Sequence, residues 1–123
     1  MKTVIFLEVD EAGDLDTVPF VYNDISELVE RAKRANVTIG NGVNIQDNVL
    51  VSMDCHIADY VEIKDGAKLG FNVLLEKGSL IGPGAEVGSH SVIKEGAIVG
   101  PECEISENSV VEVGDFAMID FDK

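Results

Sequence analysis

The sequence contains no tryptophan, and only 6 % of its residues are aromatic although 46 % are hydrophobic. This composition excludes a globule centred on aromatic side chains and favours a core of Val, Ile and Leu. Basic residues are also scarce, with 9 Lys and Arg against 23 Asp and Glu and a formal net charge of −14. Because like charges repel, this balance argues against binding to nucleic acid, anionic lipid or polyanionic cofactors.

Long hydrophobic runs and export signals are missing as well. No apolar run is long enough to cross a bilayer, and the N-terminus lacks the basic-then-apolar pattern of a signal peptide. We therefore expect a cytoplasmic protein. The two cysteines, Cys55 and Cys103, are predicted to be buried free thiols, because the repeat described next places them too far apart for a disulfide.

An aliphatic residue recurs at every sixth position without interruption. The series is Ile39, Ile45, Val51, Ile57, Ile63, Leu69, Leu75, Ile81, Val87, Ile93, Val99, Ile105 and Val111. A small or medium-sized residue precedes each member by two positions. Three positions after each member comes a turn residue, in most cases one that tolerates the left-handed αL conformation. The turn positions are Gly42, Asn48, Asp54, Tyr60, Gly66, Asn72, Gly78, Gly84, His90, Gly96, Glu102, Asn108 and Gly114. A period of six predicts a parallel β-helix, in which three hexapeptides form one triangular coil and residues one coil apart stack.

This pattern resembles the hexapeptide-repeat family, which includes many acyltransferases and the gamma-class carbonic anhydrases. The resemblance covers residues 37–117 and implies a left-handed parallel β-helix of four to five coils. Because one fold hosts unrelated chemistries, function has to be argued from the site residues.

Residues 1–36 are predicted to form a cap on the N-terminal end of the coil, with a separate partner-binding arm as the alternative. Two β-rich segments, 2–9 and 17–22, read as a hairpin, and Pro19 places the second strand at an edge. The acidic segment 10–16 between them lacks the spacing of a calcium loop and is expected to be a solvated turn.

A helix is predicted over residues 24–35. Asp24 is the expected N-cap, with Glu27 in the capping-box position. Its apolar stripe is predicted to consist of Ile25, Leu28, Val29 and Ala32. Residues 37–123 then form the coil, and the apolar residues of its short tail are expected to fold over the C-terminal end.

The outward residue before each aliphatic position distinguishes the three walls of the coil. The first wall presents Thr38, His56, Leu74, Val92 and Val110. The second wall presents Asn44, Glu62, Leu80, Ile98 and Phe116. The third wall presents Leu50, Lys68, Glu86 and Glu104. The first two walls are apolar in their C-terminal coils, and they meet at a corner that we call the glycine corner. Its residues are Gly42, Tyr60, Gly78, Gly96 and Gly114.

An apolar stripe on two adjoining outer faces predicts self-association. We expect a closed homotrimer with the glycine corner toward the threefold axis, an arrangement that resembles the trimers typical of the family. The expected interface residues are Leu74, Val92, Val110, Leu80, Ile98 and Phe116. No partner other than further copies of the chain can be named.

Two histidines are the candidates for catalysis. His90 lies in a polar corner, where it stacks with Asp54, Asn72 and Asn108 and is a candidate general base. The alternative is that these residues occupy the corner because they tolerate the αL conformation. His56 and Glu62 lie at one height on adjoining walls, and across a trimer interface they would form either a catalytic dyad or a polar interface pair.

The resemblance implies two functions. Acyltransferases of the family typically carry a catalytic His on a projecting loop and basic residues for coenzyme A. Here the repeat is never interrupted, and the C-terminal region offers only Lys94 and Lys123 among many acids. Carbonic anhydrases need three His ligands, whereas this chain has two His, so no metal is expected. We therefore predict a non-catalytic trimeric scaffold or binding module without a cofactor. The alternative is a small acyltransferase that uses acyl-coenzyme A at an intersubunit cleft.

Overall fold

The computed structural model describes residues 1–114 of the chain. Two antiparallel strands, β1 (Lys2–Val9) and β2 (Leu15–Tyr22), form a hairpin. Helix α1 (Ile25–Ala32) follows and continues as one 3-10 turn (Lys33–Ala35). The short strands of the coil come next: β3 (Thr38–Ile39), β4 (Asn44–Ile45), β5 (Val49–Ser52), β6 (His56–Ile57), β7 (Glu62–Ile63), β8 (Lys68–Leu69), β9 (Leu74–Leu75), β10 (Leu80–Ile81), β11 (Glu86–Val87), β12 (Val92–Ile93), β13 (Ile98–Val99), β14 (Glu104–Ile105) and β15 (Val110–Val111).

The fold is a left-handed parallel β-helix of about four turns with the hairpin and one helix at its N-terminal end, as predicted. Three parallel sheets correspond to the three predicted walls. The first wall is β3-β6-β9-β12-β15, the second is β4-β7-β10-β13, and the third is β5-β8-β11-β14. Each outward residue stands opposite its counterpart in the next coil, as Thr38 does opposite His56. Phe116 and the predicted C-terminal tail lie outside the described residues.

Two kinds of backbone hydrogen bond join successive coils. The N–H of Thr38 donates forward to the carbonyl oxygen of Cys55 (3.1 Å), and the same step repeats along the walls. At the corners, the N–H of Tyr60 donates back to the carbonyl oxygen of Asn41 (2.8 Å). Every predicted turn position from Gly42 to Gly114 has a positive φ, which confirms the turn prediction. The period of six is therefore a backbone period, because each third of a coil needs one residue in the αL region to turn the corner.

The interior of the coil is a column of aliphatic side chains with smaller ones between them. The repeating aliphatic positions are buried apart from Ile105, which lies half-buried near the C-terminal end of the described residues. Cys55 and Cys103 both lie inside the column as free, buried thiols, as predicted. Because aliphatic side chains stack on aliphatic side chains from one coil to the next, the interior of the coil has no large aromatic residue at its centre.

The hairpin extends the third wall. β1 pairs in parallel with β5, so the wall continues through β1 to β2 as a single sheet of six strands. The hydroxyl of Tyr22 is buried and donates to the carbonyl oxygen of Ile45 (2.9 Å), which ties β2 to the first coil. β2 begins at Leu15, earlier than predicted, because Asp10 tightens the turn. Its Oδ1 accepts the N–H groups of Ala12 and Asp14 (2.9 Å each).

The helix begins as predicted. Asp24 accepts the N–H of Ser26 (3.1 Å), and the side chain of Glu27 completes the capping box. The α-helix ends at Ala32, short of the predicted Ala35, because the chain tightens into a 3-10 turn before the coil begins. None of the helices among residues 1–114 is long and apolar enough to cross a membrane.

The predicted apolar stripe of the helix is only partly correct. Leu28 and Ala32 are buried, whereas Ile25 is exposed and Val29 is half-buried. Arg31 is buried instead. Its guanidinium makes two hydrogen bonds to the carboxylate of Glu8 in β1 (2.8 and 3.1 Å). The helix therefore turns a polar residue inward because the opposite charge lies on the hairpin.

Candidate functional site

The polar corner joins the third wall to the first, and the structure places Asp54, Asn72, His90 and Asn108 there, one coil apart. All of these residues are exposed, and all have the positive φ of an αL corner. The structure therefore confirms the prediction that these four residues occupy equivalent positions in successive coils. The hydrogen bonds between them decide what the row can do chemically.

His90 is paired with an amide and not with a carboxylate. Its Nδ1 lies 3.1 Å from Nδ2 of Asn72, one coil below. When Asn72 donates this hydrogen bond, Nδ1 is the acceptor and the proton of a neutral ring sits on Nε2. Such a ring has a fixed tautomer, but it lacks the carboxylate partner that would stabilise an imidazolium during catalysis.

Asp54 faces the other way along the corner. Its Oδ1 accepts a hydrogen bond from Nδ2 of Asn36 (2.9 Å), so it neither touches nor orients His90. Asn36, with φ 57°, is the first member of the corner row. Sequence reasoning missed it because the six-residue series was started after the helix. One further coil counted back from Asp54 would have found it.

His56 and Glu62 are on adjoining walls, as predicted, and they do not form a pair within the chain. His56 is exposed on the first wall between Thr38 and Leu74. Glu62 is half-buried on the second wall, where its Oε2 lies 3.9 Å from Nζ of Lys64 and 3.5 Å from Nδ2 of Asn44. The structure therefore shows no His56–Glu62 dyad within one chain.

The glycine corner gathers most of the exposed large apolar side chains of the coil. The exposed fraction is 60 % for Tyr60, 54 % for Ile98, 53 % for Val110 and 66 % for Val113. Leu74, Val92 and Leu80 lie on the flanking walls and are half-buried by their neighbours. Sequence reasoning identified the walls but missed Tyr60 and Val113 as apolar surface. Both stand in the turn itself, where only the backbone conformation had been considered.

Two of these side chains rest on glycines. A Cβ placed on Gly42 would lie 2.5 Å from the ring of Tyr60, and one on Gly96 would lie 3.3 Å from Val113 Cγ2. At Gly78 no atom lies within 4 Å of that position. The corner is therefore an apolar ridge with bare backbone at Gly78, and the same turn carries the exposed Lys77, whose Nζ lies 6.0 Å from the centroid of the Tyr60 ring.

A groove of about 350 Å³ lies between α1 and the first coil. Ile25, Val29 and Ile39 line its apolar side, and the Gly40–Gly42 turn closes it. The groove contains neither histidine. It explains why Ile25 is exposed, because the helix crosses the end of the coil without filling the space beside this turn.

The basic residue predicted near a coenzyme site is surrounded by acids. Lys94 lines a shallow hollow together with Glu76, Glu95 and Glu112. Its Nζ lies 4.0 Å from Oε2 of Glu76. A polyphosphate placed here would meet three carboxylates for one ammonium group.

The cysteines are not available as nucleophiles. Burial raises the pKa of Cys55 to about 11, and its Sγ lies 3.0 Å from the carbonyl oxygen of Gly70, to which it donates. Burial also raises the pKa of Cys103. Since the thiolate is the reactive form, both residues are core side chains at neutral pH.

Comparison with known proteins gives no relative from which the role of these residues could be inferred. No protein-family model matches the chain, and no curated protein matches it significantly. Within residues 1–114 there is also no group of three or more His, Cys, Asp or Glu side chains that could hold a metal ion.

Proposed function

We propose that the chain is a hexapeptide-repeat protein that forms a homotrimer through its glycine corner and serves as a non-catalytic scaffold or binding module. The observation that carries the proposal is the exposed apolar ridge of Tyr60, Ile98, Val110 and Val113. Exposed apolar side chains that cluster on one surface mark an interaction site more often than isolated ones do.

The form of the ridge favours a second copy of the chain as its partner. Ile98 and Val110 belong to the two walls that meet at the corner, and bare backbone at Gly78 lets another chain approach closely. When three prisms place the same corner on a threefold axis, the first wall of each copy faces the second wall of the next. This closed arrangement covers every ridge and leaves none available for further growth.

The same arrangement brings His56 of one copy toward Glu62 of the next. Glu62 already has Lys64 and Asn44 beside it, so His56 would join an existing polar cluster. We interpret this contact as a polar pair that sets the register of the interface. A catalytic His56–Glu62 dyad is the interpretation that goes with the alternative function, a small acyltransferase.

Two features support a non-catalytic role over an acyltransferase. His90 has an amide partner, and Lys94 sits among Glu76, Glu95 and Glu112. An acyl-coenzyme A substrate carries several phosphates, which this hollow would repel. We therefore propose no cofactor.

The oligomeric state is tested by light scattering of the whole chain at micromolar concentration. We expect three times the 13.2 kDa chain mass. Ile98→Asp should reduce the particle to monomers, because it places three carboxylates beside the axis. Ser106→Asp adds the same charge at an exposed position of the polar corner and should leave the trimer intact. A wild-type protein that stays monomeric would overturn the assembly.

The catalytic alternative is tested separately by calorimetry with acetyl-coenzyme A. We expect no binding heat at high micromolar ligand. Saturable binding that is lost in His90→Ala or His56→Gln would reject the scaffold and favour the acyltransferase, whatever the oligomeric state.

A further inference from the structure

A second apolar surface lies on the hairpin, away from the glycine corner. It consists of the outward side chains of β1 and β2 and the neighbouring residue of β5, and we call it the hairpin face. Its members are Ile5, Leu7, Val9, Leu15, Thr17, Pro19, Val21 and Leu50. Leu15, Val21 and Val9 are 57 %, 53 % and 45 % exposed. Together with the ridge, these residues account for most of the exposed large apolar side chains among residues 1–114.

The other side of the same sheet is already covered. Val4 and Phe6 point inward from β1 and are fully buried, and Arg31 of α1 packs over Phe6 with its Cζ 4.8 Å from the ring centroid. The hairpin is thus a sheet with its own helix on one face and an apolar, uncovered opposite face. An uncovered apolar sheet face of this kind is suited to packing a helix.

The free edge of the hairpin does not invite an added strand. Thr3 and Leu7 turn their carbonyl oxygens to the β5 side, where they accept the N–H groups of Asn48 (2.8 Å) and Met53 (3.1 Å). The β2 residues opposite Thr3, Ile5 and Leu7 therefore direct their backbone groups to the free edge. The central one of these is Pro19, which has no N–H to donate. Pro19 therefore interrupts the hydrogen bonds that an added strand would need, and the apolar face is the better surface for a partner.

Charge at one end of the face restricts the kind of partner. The turn that joins β1 to β2 carries Asp10, Glu11 and Asp14, with Asp16 just inside β2 and no basic residue between them. Asp10 is occupied in the turn, where it accepts two backbone N–H groups. Glu11 and Asp14 lie next to Val9 and Leu15, at the most exposed end of the apolar face, whereas Asp16 stands opposite Glu8 and belongs to the other face of the sheet.

We propose that the hairpin face binds an amphipathic helix of a partner protein, with lysine or arginine residues at the end that lies over the acidic turn. Strands of eight residues extend about 26 Å, which accommodates a helix of about 17 residues. A second copy of the chain is a poor match for the acidic turn, because it offers 9 Lys and Arg against 23 Asp and Glu. The proposal does not depend on the trimer, because the third wall is the one opposite the glycine corner.

The test uses the full chain and a fluorescent synthetic helix long enough to span the face, with leucine on one side and lysine on the other. A second peptide, with glutamate in place of lysine, is the charge control. We expect the lysine peptide to bind at least tenfold more tightly than the glutamate peptide in fluorescence anisotropy. Its binding should weaken as salt is added. Amide shifts in ¹H–¹⁵N spectra should be confined to β1, β2, the turn between them and β5.

Variants separate the apolar contribution from the charge. The double change Leu15→Thr with Val21→Thr keeps the charge and the strand propensity, and we expect it to weaken binding at least tenfold. Ile25→Thr makes a similar change at an exposed apolar residue of α1, outside both the hairpin face and the glycine corner, and should leave binding unchanged. Glu11→Gln with Asp14→Asn should weaken binding several-fold and reduce its salt dependence.

Three results would overturn the proposal. One is that the lysine peptide fails to bind at high micromolar concentration. Another is that the Leu15 and Val21 double variant binds it as tightly as the wild type, so that charge alone is responsible. The last is that this double variant halves the particle mass in light scattering, which would show that the face pairs with a second copy.

Discussion

The coil and the N-terminal cap are stabilised in different ways. In the coil, each contact is repeated one coil later, and the same two backbone hydrogen bonds recur at each wall and corner. In the cap, the main contacts occur once: the Glu8–Arg31 ion pair and the Tyr22 hydroxyl on Ile45. A repeat distributes stability over equivalent positions, whereas a cap concentrates it in a few specific ones. Single substitutions should therefore reveal the difference.

The largest effect is expected in the cap, at the buried ion pair. Arg31→Met leaves the Glu8 carboxylate without its partner at a position where the two side chains are only 7 % and 12 % exposed. We expect the free energy of unfolding to fall by about 3–5 kcal/mol, the usual cost of breaking a buried pair. Urea denaturation at one fixed protein concentration measures it, because any assembly adds to apparent stability.

The control for this prediction removes both charges. Glu8→Leu with Arg31→Met should recover most of the loss, since no unpaired charge remains. If the double variant is as unstable as Arg31→Met alone, the cost comes from lost packing against Phe6 and not from the charge.

A smaller effect is expected in the coil, where the backbone of the next coil passes close to several glycines, among them Gly88. A Cβ on Gly88 would lie 2.5 Å from the amide nitrogen of Glu107 and 2.7 Å from the carbonyl oxygen of Ile105. Gly88→Ala must push two coils apart, and we expect a loss of about 3 kcal/mol. The thermal unfolding midpoint reports the change.

Gly66→Asn is the matched change at a turn of the same coil region. Gly66 has φ +73°, an added Cβ would meet only the amide nitrogen of Gly84 at an ordinary contact distance of 3.9 Å, and asparagine already occupies this conformation at Asn48 and Asn72. Stability should change by no more than a few tenths of a kcal/mol. Equal losses in the two variants would mean that backbone conformation, and not the close approach, governs these glycines.

The smallest effect distinguishes two serines of the core. Ser91 Oγ donates to the carbonyl oxygen of Ser106 (2.9 Å) and accepts the N–H of Ser109 (3.1 Å). Within residues 1–114, Ser79 Oγ is buried with no hydrogen-bond partner. Ser79→Ala should raise the free energy of unfolding by about 1 kcal/mol, whereas Ser91→Ala should lower it by about 1–2 kcal/mol. A loss in both variants would indicate that the Ser79 hydroxyl finds a partner in solution.

Sequence reasoning succeeded in the coil because the physical period is short. One residue in six must adopt the αL conformation, and glycine, asparagine and aspartate reveal most of these positions. The same count placed Tyr60 and Glu102 at turn positions although their residue types do not favour αL, and both have positive φ. Periodicity outweighed propensity because neighbouring coils hold each turn in place.

The candidate site was predicted as a row of residues but not as pairs. Stacking placed Asp54, Asn72 and Asn108 in one row with His90, but it did not identify Asn72 as the residue that pairs with His90. Asp54 instead pairs with Asn36. Which neighbour a corner side chain contacts depends on its rotamer and on the twist between coils, and neither is encoded in spacing.

The sequence by itself determined the coil: its three walls, its corners, its aliphatic column and the walls that carry apolar side chains outward. Only the tertiary structure decided how the cap is held. It turned Arg31 inward to Glu8, left Ile25 exposed, joined the hairpin to the third wall and thereby created the hairpin face. The physical reason is that a repeat makes each residue's neighbours predictable from a fixed step along the chain. A cap that occurs once has no such step, so its partners are known only when the chain has folded.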